Sequence, residues 1–203
     1  MDAFVDAIGE GPLAGMIHLA PLRLASMAWS EESGPSQQVV LSGQAWFGLL
    51  KSLDSQLGAL ESGIVASVSA MDGRHGNRGD RFNALQAAAA GVTKSYAHER
   101  PALRCRAYDV HPDMLMDAEA LAERLVDDLL NVGGEVEIGL DRAGERWTLV
   151  CFAEDLVEER TSLQETDVWL VSGGGSGVTA AAVIGVAAAS KDAGASFHLL
   201  GRT

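Results

Sequence analysis

Apolar positions recur along this chain in two rhythms. From Ser42 to Leu60, Trp46, Leu49, Leu50, Leu53 and Leu57 return at steps of three and four, with Lys51, Asp54 and Gln56 outside them. That spacing predicts one apolar face of a helix. Ala118 to Leu130 repeats it, with Leu121, Leu125, Leu129 and Leu130 inward. Asp117 stands where an N-cap would, and Gly133 where a helix can stop. Phe82 to Tyr96, alanine-rich over Ala87–Ala90, predicts another helix that Pro101 ends. Between these lie shorter runs. Gly15–Leu19 predicts a buried strand, Ile64–Val68 a second, and the alternating Leu103–Tyr108 a third. Val136–Leu140 and Trp147–Phe152 flank Asp141–Glu145 and predict a hairpin. Pro21 and the Ser30–Ser36 stretch predict a loop, and Glu158–Thr166 a charged linker. Strand and helix alternate, so the class is α/β with a mainly parallel sheet.

Composition narrows the possibilities. The 203 residues are 47% hydrophobic, enough for a sizeable core, so disorder of the whole chain is excluded. The formal net charge of −13 disfavours nucleic acid as a partner, because phosphate backbones recruit clustered Lys and Arg. The longest apolar-rich stretch, Val178 to Ala189, is too short for a membrane span. The N-terminus carries acid where an export signal carries base. Cys105 and Cys151 lie in apolar, strand-like runs and read as buried reduced thiols, which fits a cytoplasmic protein.

Chemistry concentrates near the end. Asp167–Val171 predicts a strand that runs into Ser172, Gly173, Gly174, Gly175, Ser176, Gly177, Val178 and Thr179. A helix of small apolar residues from Val178 to about Lys191 follows, then a strand from Ala195 to Leu200 that ends in Gly201-Arg202. This is a βαβ unit of dinucleotide-binding length. Glycines let the backbone turn sharply and let a pyrophosphate approach. Amides at the helix start, aided by the helix dipole, stabilise its charge. Arg202 stands at the end of the second strand, where an acid would bind a ribose 2′-hydroxyl and an arginine suits a 2′-phosphate. The pattern favours NADPH over NADH. The spacing is not G-x-G-x-x-G, and the last small position is Thr179.

The run Val171–Ala180, followed by Leu199-Leu200-Gly201-Arg202-Thr203, resembles the ketoreductase domain of polyketide-type synthases, with polyunsaturated fatty acid synthases nearest in flavour. Ala90–Ser95, Glu99-Arg100-Pro101 and Cys105–Asp109 resemble the structural half that precedes the catalytic half in such enzymes. The resemblance implies a short-chain dehydrogenase/reductase, Rossmann-like fold. Residues 1–160 would form the truncated structural subdomain, and 166–203 the start of an incomplete NADPH-binding catalytic subdomain. It implies hydride transfer from NADPH to a 3-ketoacyl group on an acyl carrier protein, with other synthase domains as further partners. Ser172, Gly173, Gly174, Gly175, Ser176, Gly177 and Arg202 would lie at the cofactor. The family's catalytic residues would follow the second strand, beyond Thr203. No Tyr-x-x-x-Lys or Tyr-x-x-x-Asn exists in the chain, so the chain is expected to be an inactive fragment. In the upstream half Ser69 ends a strand as a catalytic serine would. Phe82 stands where a tyrosine would be expected, with Gln86 four residues on.

Two rival readings accompany this one: a non-catalytic pseudo-reductase scaffold module, and an independent α/β nucleotide-binding protein. The basic loop Asp72–Gly79, with Arg74, His75, Arg78 and the nearby Arg81, reads as a solvated loop or as a dock for an acidic carrier protein. His18 reads as a hydrogen-bonded core histidine, and no histidine or cysteine spacing suggests a metal site. Trp46-Phe47 reads as core, and Glu154-Asp155 with Glu158-Glu159 as a solvated charge run.

Overall fold

A computed structural model describes residues 8, 11–25, 40–59, 62–131, 133–155, 164–173, 175–189 and 194–201. The Ser30–Ser36 loop, Glu158 and Glu159, and Lys191 lie outside the described residues. The chain divides into two compact units, Met1–Cys151 and Phe152–Thr203.

The first unit is an α/β structure on a five-stranded sheet in the order β1-β2-β3-β4-β5. The strands are β1 (Gly15–His18), β2 (Ile64–Ser69), β3 (Arg104–Val110), β4 (Glu137–Leu140) and β5 (Arg146–Trp147). The first four run parallel, with Met16 opposite Val65, Val65 opposite Cys105, and Tyr108 opposite Ile138. Only β5 is antiparallel. Its helices are α1 (Ala45–Gly58), α2 (Ala87–Glu99) and α3 (Ala118–Asn131). A single-turn π-helix, Val40–Gln44, leads into α1.

Alternation along the central strands decides which helix covers which face. Val65 and Cys105 point to one side, where Trp46, Leu50, Leu53 and Leu57 of α1 and Ala89 and Tyr96 of α2 cover them. Ala66, Val68, Tyr108, Val110, Ile138 and Leu140 point to the other, where Leu121, Leu125 and Leu129 of α3 cover them. Each of these leucines stabilises the fold by about 1.5–3 kcal/mol relative to exposure. The crossovers β2–α2–β3 and β3–α3–β4 step the same way across the sheet but place their helices on opposite faces. They are therefore of opposite hand, although about 98% of such units are right-handed. The Tyr108 hydroxyl ties α3 to its face of the sheet, donating to Asp128 of α3 at 2.8 Å.

The expected helices form with adjusted edges. Asp117 caps α3, its carboxylate accepting the Ala120 amide at 3.1 Å. Glu99 ends α2 two residues before Pro101. Leu130 is exposed, contrary to the expected inward stripe. It follows Leu129 by one helical step, about 100° around the axis. β1 is not a buried strand: only His18 is buried, while Ile17 is exposed on this edge strand. The hairpin exists, but its second strand is Arg146–Trp147 rather than Trp147–Phe152. The Thr148 hydroxyl donates to the Glu137 carbonyl at 2.9 Å where a further ladder bond would form. Cys105 is buried and Cys151 is exposed, so the expectation of two buried thiols holds for Cys105 alone. Burial pushes the Cys105 thiol up to about 11.

The second unit contains β6 (Val168–Ser172), α4 (Gly177–Ala189) and β7 (Ser196–Leu200). β6 and β7 pair in parallel, Val168 opposite Ser196 through Ser172 opposite Leu200. Trp169 stacks on its cross-strand partner Phe197, with centroids 6.1 Å apart. β7 reads in sequence as a central strand, yet among the described residues it pairs only with β6, and Leu199 and Leu200 are exposed.

Candidate functional site

The glycine-rich turn of the second unit joins β6 to α4. Gly173 and Gly177 have φ of +86° and +65°, which side chains rarely adopt, so these two glycines are required by the turn itself. The Gly173 amide donates to the Leu200 carbonyl at 2.6 Å, tying the turn to the end of β7. A Cβ built at Gly173, Gly175 or Gly177 would meet nothing within 4 Å, so a ligand could come up to the backbone there. Ser172, Gly173, Gly175, Ser176, Gly177, Val178 and Thr179 are exposed. An α-helix leaves its first amides without intrahelical acceptors, and its dipole makes that end positive. The expected Ser172, Gly173, Gly175, Ser176 and Gly177 are thus gathered at one open turn. Gly174 and Arg202 lie outside the described residues.

The first unit gathers a different set at the C-terminal edge of its parallel strands. The basic loop is not simply solvated, because it is built around two buried carboxylates. Asp72 accepts the amides of Arg74, Gly76 and Arg78, each at 2.8 Å. Asp109, at the end of β3, accepts those of Met71 at 2.7 Å and His75 at 2.8 Å. Both aspartates are fully buried. Burial pushes the Asp109 carboxyl up to about 6. Burial also works to raise Asp72, but the amides of Arg78, Gly76 and Arg74 outweigh it and hold that carboxyl below its ordinary value. Burial lowers His75, partly opposed by Glu137. His75 adopts φ +55° to close the loop.

Arg74 is pinned rather than presented to solvent. It bonds Asp141 at 3.0 Å, and its guanidinium lies 3.6 Å over the Trp147 ring. Asp141 also accepts the Trp147 indole N–H at 3.0 Å. Arg78 pairs with Asp80 at 3.2 Å.

The upstream serine, phenylalanine and glutamine occupy structural roles. Ser69 donates to the Tyr108 carbonyl at 3.0 Å. Gln86 clamps the Ala70 backbone from both sides, accepting its amide at 2.8 Å and donating to its carbonyl at 3.1 Å. The half-buried Phe82 ring packs over Gly76, where a Cβ would come within 2.9 Å of it. His18 is a core histidine as expected, buried and stacked on Trp46 with centroids 4.8 Å apart. Trp46 is core and donates to Thr93 at 2.9 Å, whereas Phe47 is exposed.

Sequence reasoning missed Asp72, Asp109 and Asp141 as organisers of this edge. The local signals were Asp72-Gly73 in the loop after β2 and Asp141 at the hairpin turn, where it accepts the Ala143 and Glu145 amides; Asp109, and Asp141 toward Arg74, act on residues far away in sequence. Among the described residues, no group of three His, Cys, Asp or Glu is placed to hold a metal ion. No described helix is long and apolar enough to cross a membrane.

Fold and turn together define an α/β, Rossmann-like protein. Compared with known proteins, the chain matches no family model, no curated protein and no solved structure.

Proposed function

We propose that this chain is part of a ketoreductase of a multidomain fatty acid or polyketide synthase, and that its second unit starts the NADPH site. The observation that carries the reading is the open glycine turn between parallel strand and helix, with Gly173 and Gly177 in the left-handed region and free space over Gly173, Gly175 and Gly177. That space fits the close approach of a pyrophosphate. Amides of Gly175, Ser176 and Gly177 and the first turn of α4 would hold the diphosphate, with Ser172 and Ser176 offering hydroxyls. Arg202 would pair with the 2′-phosphate. Bound NADPH supplies hydride to a 3-ketoacyl group delivered by an acyl carrier protein in the cytoplasm. In this reading the chain's own residues bind and orient the cofactor, and none of them is assigned the role of proton donor.

A second reading, a pseudo-reductase scaffold, draws support from the first unit. Ser69 and Gln86 bind backbone, and Phe82 has no acidic proton. The two readings meet if the first unit supports and the second binds.

Titration of the 203-residue chain with NADPH and NADH separates them. The proposal expects NADPH to bind more tightly, and Arg202→Ala to abolish the preference. A folded chain that binds neither nucleotide favours the scaffold. Equal affinity for both favours a nucleotide-binding protein of another kind.

A further inference from the structure

The chain passes from its first unit to its second within Thr148–Asp155. These residues form no helix, strand or turn, and every one of them is exposed. β5 ends at Trp147. Beyond it Leu149, Val150 and Phe152 stand in solvent, Phe152 at 81% exposure.

An endoprotease takes its substrate in extended form, so it needs backbone free of regular structure as well as an exposed side chain. Exposure alone does not select Phe152. Phe47 is exposed, but within α1, and Trp147 and Trp169 are exposed, but within β5 and β6. Phe82 lies outside helix and strand, but is half-buried over Gly76. Among the described aromatic residues, Phe152 alone is both exposed and outside helix and strand. Apolar Leu149 and Val150 precede it, and the small Ala153 follows.

We infer that the Phe152–Ala153 bond is a processing site for an endoprotease whose apolar pocket takes the aromatic ring before the cut. Water supplies both new ends: its hydroxyl goes to the Phe152 carbonyl carbon and its hydrogen to the Ala153 nitrogen as the C–N bond breaks. A carboxyl and an amine result. The cut falls one residue inside the second unit. It leaves β1–β5 and both cores of the first unit on one product, and the glycine turn after β6 on the other. The first product therefore keeps what stabilises it. Cleavage acts in one direction, ending the covalent link between the five-stranded unit and the turn.

Chymotrypsin, which has such a pocket, is the probe. The 203-residue chain is digested in native buffer and the products are followed by intact mass. The expected result is a cut after Phe152 that is faster than any within α1–α3 or β2–β4 by about tenfold or more. Its rate should not rise in low urea, because this segment needs no opening. The product that carries β2–β5 should persist and melt cooperatively. Phe152→Asp should slow the cut by about tenfold or more and leave the melting temperature unchanged, because the ring lies in solvent. A Phe152–Ala153 bond that survives while bonds in β2 or β3 are cut overturns the inference. So does an unaltered rate in Phe152→Asp, or a first unit that loses its fold on release.

Discussion

Asp72 and Asp109 meet beneath one loop, the Asp72 backbone amide donating to the Asp109 carboxylate at 3.4 Å. Between them they accept the amides of Met71, Arg74, His75, Gly76 and Arg78. A turn rich in glycine and arginine thus owes its shape to two buried acids, one in the loop itself and one at the end of β3. Its inward amides, which elsewhere would form a nest for an anionic ligand, are filled by the chain's own carboxylates.

The pair makes stability depend on pH in a particular direction. Asp109 titrates near 6 when folded, mainly through burial, but near 3.9 when unfolded. Between these values the folded chain binds more protons, so the Asp109 contribution to stability falls as pH rises from about 4 to about 6. His75 acts oppositely: burial lowers its folded value, so its contribution is present above about 6.5 and is lost as pH falls. Comparing the parent with Asp109→Asn isolates the carboxyl. Urea midpoints between pH 4.5 and 7 should show the parent's advantage shrinking as pH rises, by on the order of 1–3 kcal/mol. A constant difference across that range contradicts the account.

Asp141 joins the loop to the hairpin through Arg74 and Trp147, and also accepts the amides of Ala143 and Glu145, each at 3.0 Å. Asp141→Ala leaves these donors without their acceptor. It should lower the free energy of unfolding by about 2 kcal/mol. Trp147 fluorescence should change with it, because the indole loses its partner. Unchanged stability would show that the acid is dispensable.

The helix stripes were legible because each is written within four residues of itself. Trp46, Leu50, Leu53 and Leu57, like Leu121, Leu125 and Leu129, needed only the helical period and are buried as that period predicts. Asp117 as a cap and the glycines between β6 and α4 were equally local. The Asp109 role was not legible, because its amide partners lie 34 to 38 residues earlier in the chain. Nor did periodicity show which face of the sheet each helix would take. That choice depends on Ala66, Val68 and Tyr108 pointing one way while Val65 and Cys105 point the other. Cys151 lies in an apolar run that stops pairing after Trp147, so its exposure could not be read from its neighbours.

Protection against hydrogen exchange should differ between the units. The first has cores on both faces of its sheet. In the second no described residue of α4 is buried, and Leu170, Val178 and Ile184 are exposed. A two-stranded sheet is marginal alone. Amides of α4, β6 and β7 should exchange faster than those of β2 and β3 by about two orders of magnitude or more. Uniform protection along the chain would show that the second unit is stabilised as fully as the first.

The central claim is that the turn after β6 receives the diphosphate of NADPH. The most direct measurement is a ¹⁵N amide spectrum of the chain titrated with NADPH. The account predicts saturable shifts concentrated at Gly173, Gly175, Ser176, Gly177 and Val178, with the loop around Asp72 unmoved. If those glycine amides stay in place at millimolar NADPH while the chain remains folded, the turn is structural and the cofactor assignment is wrong.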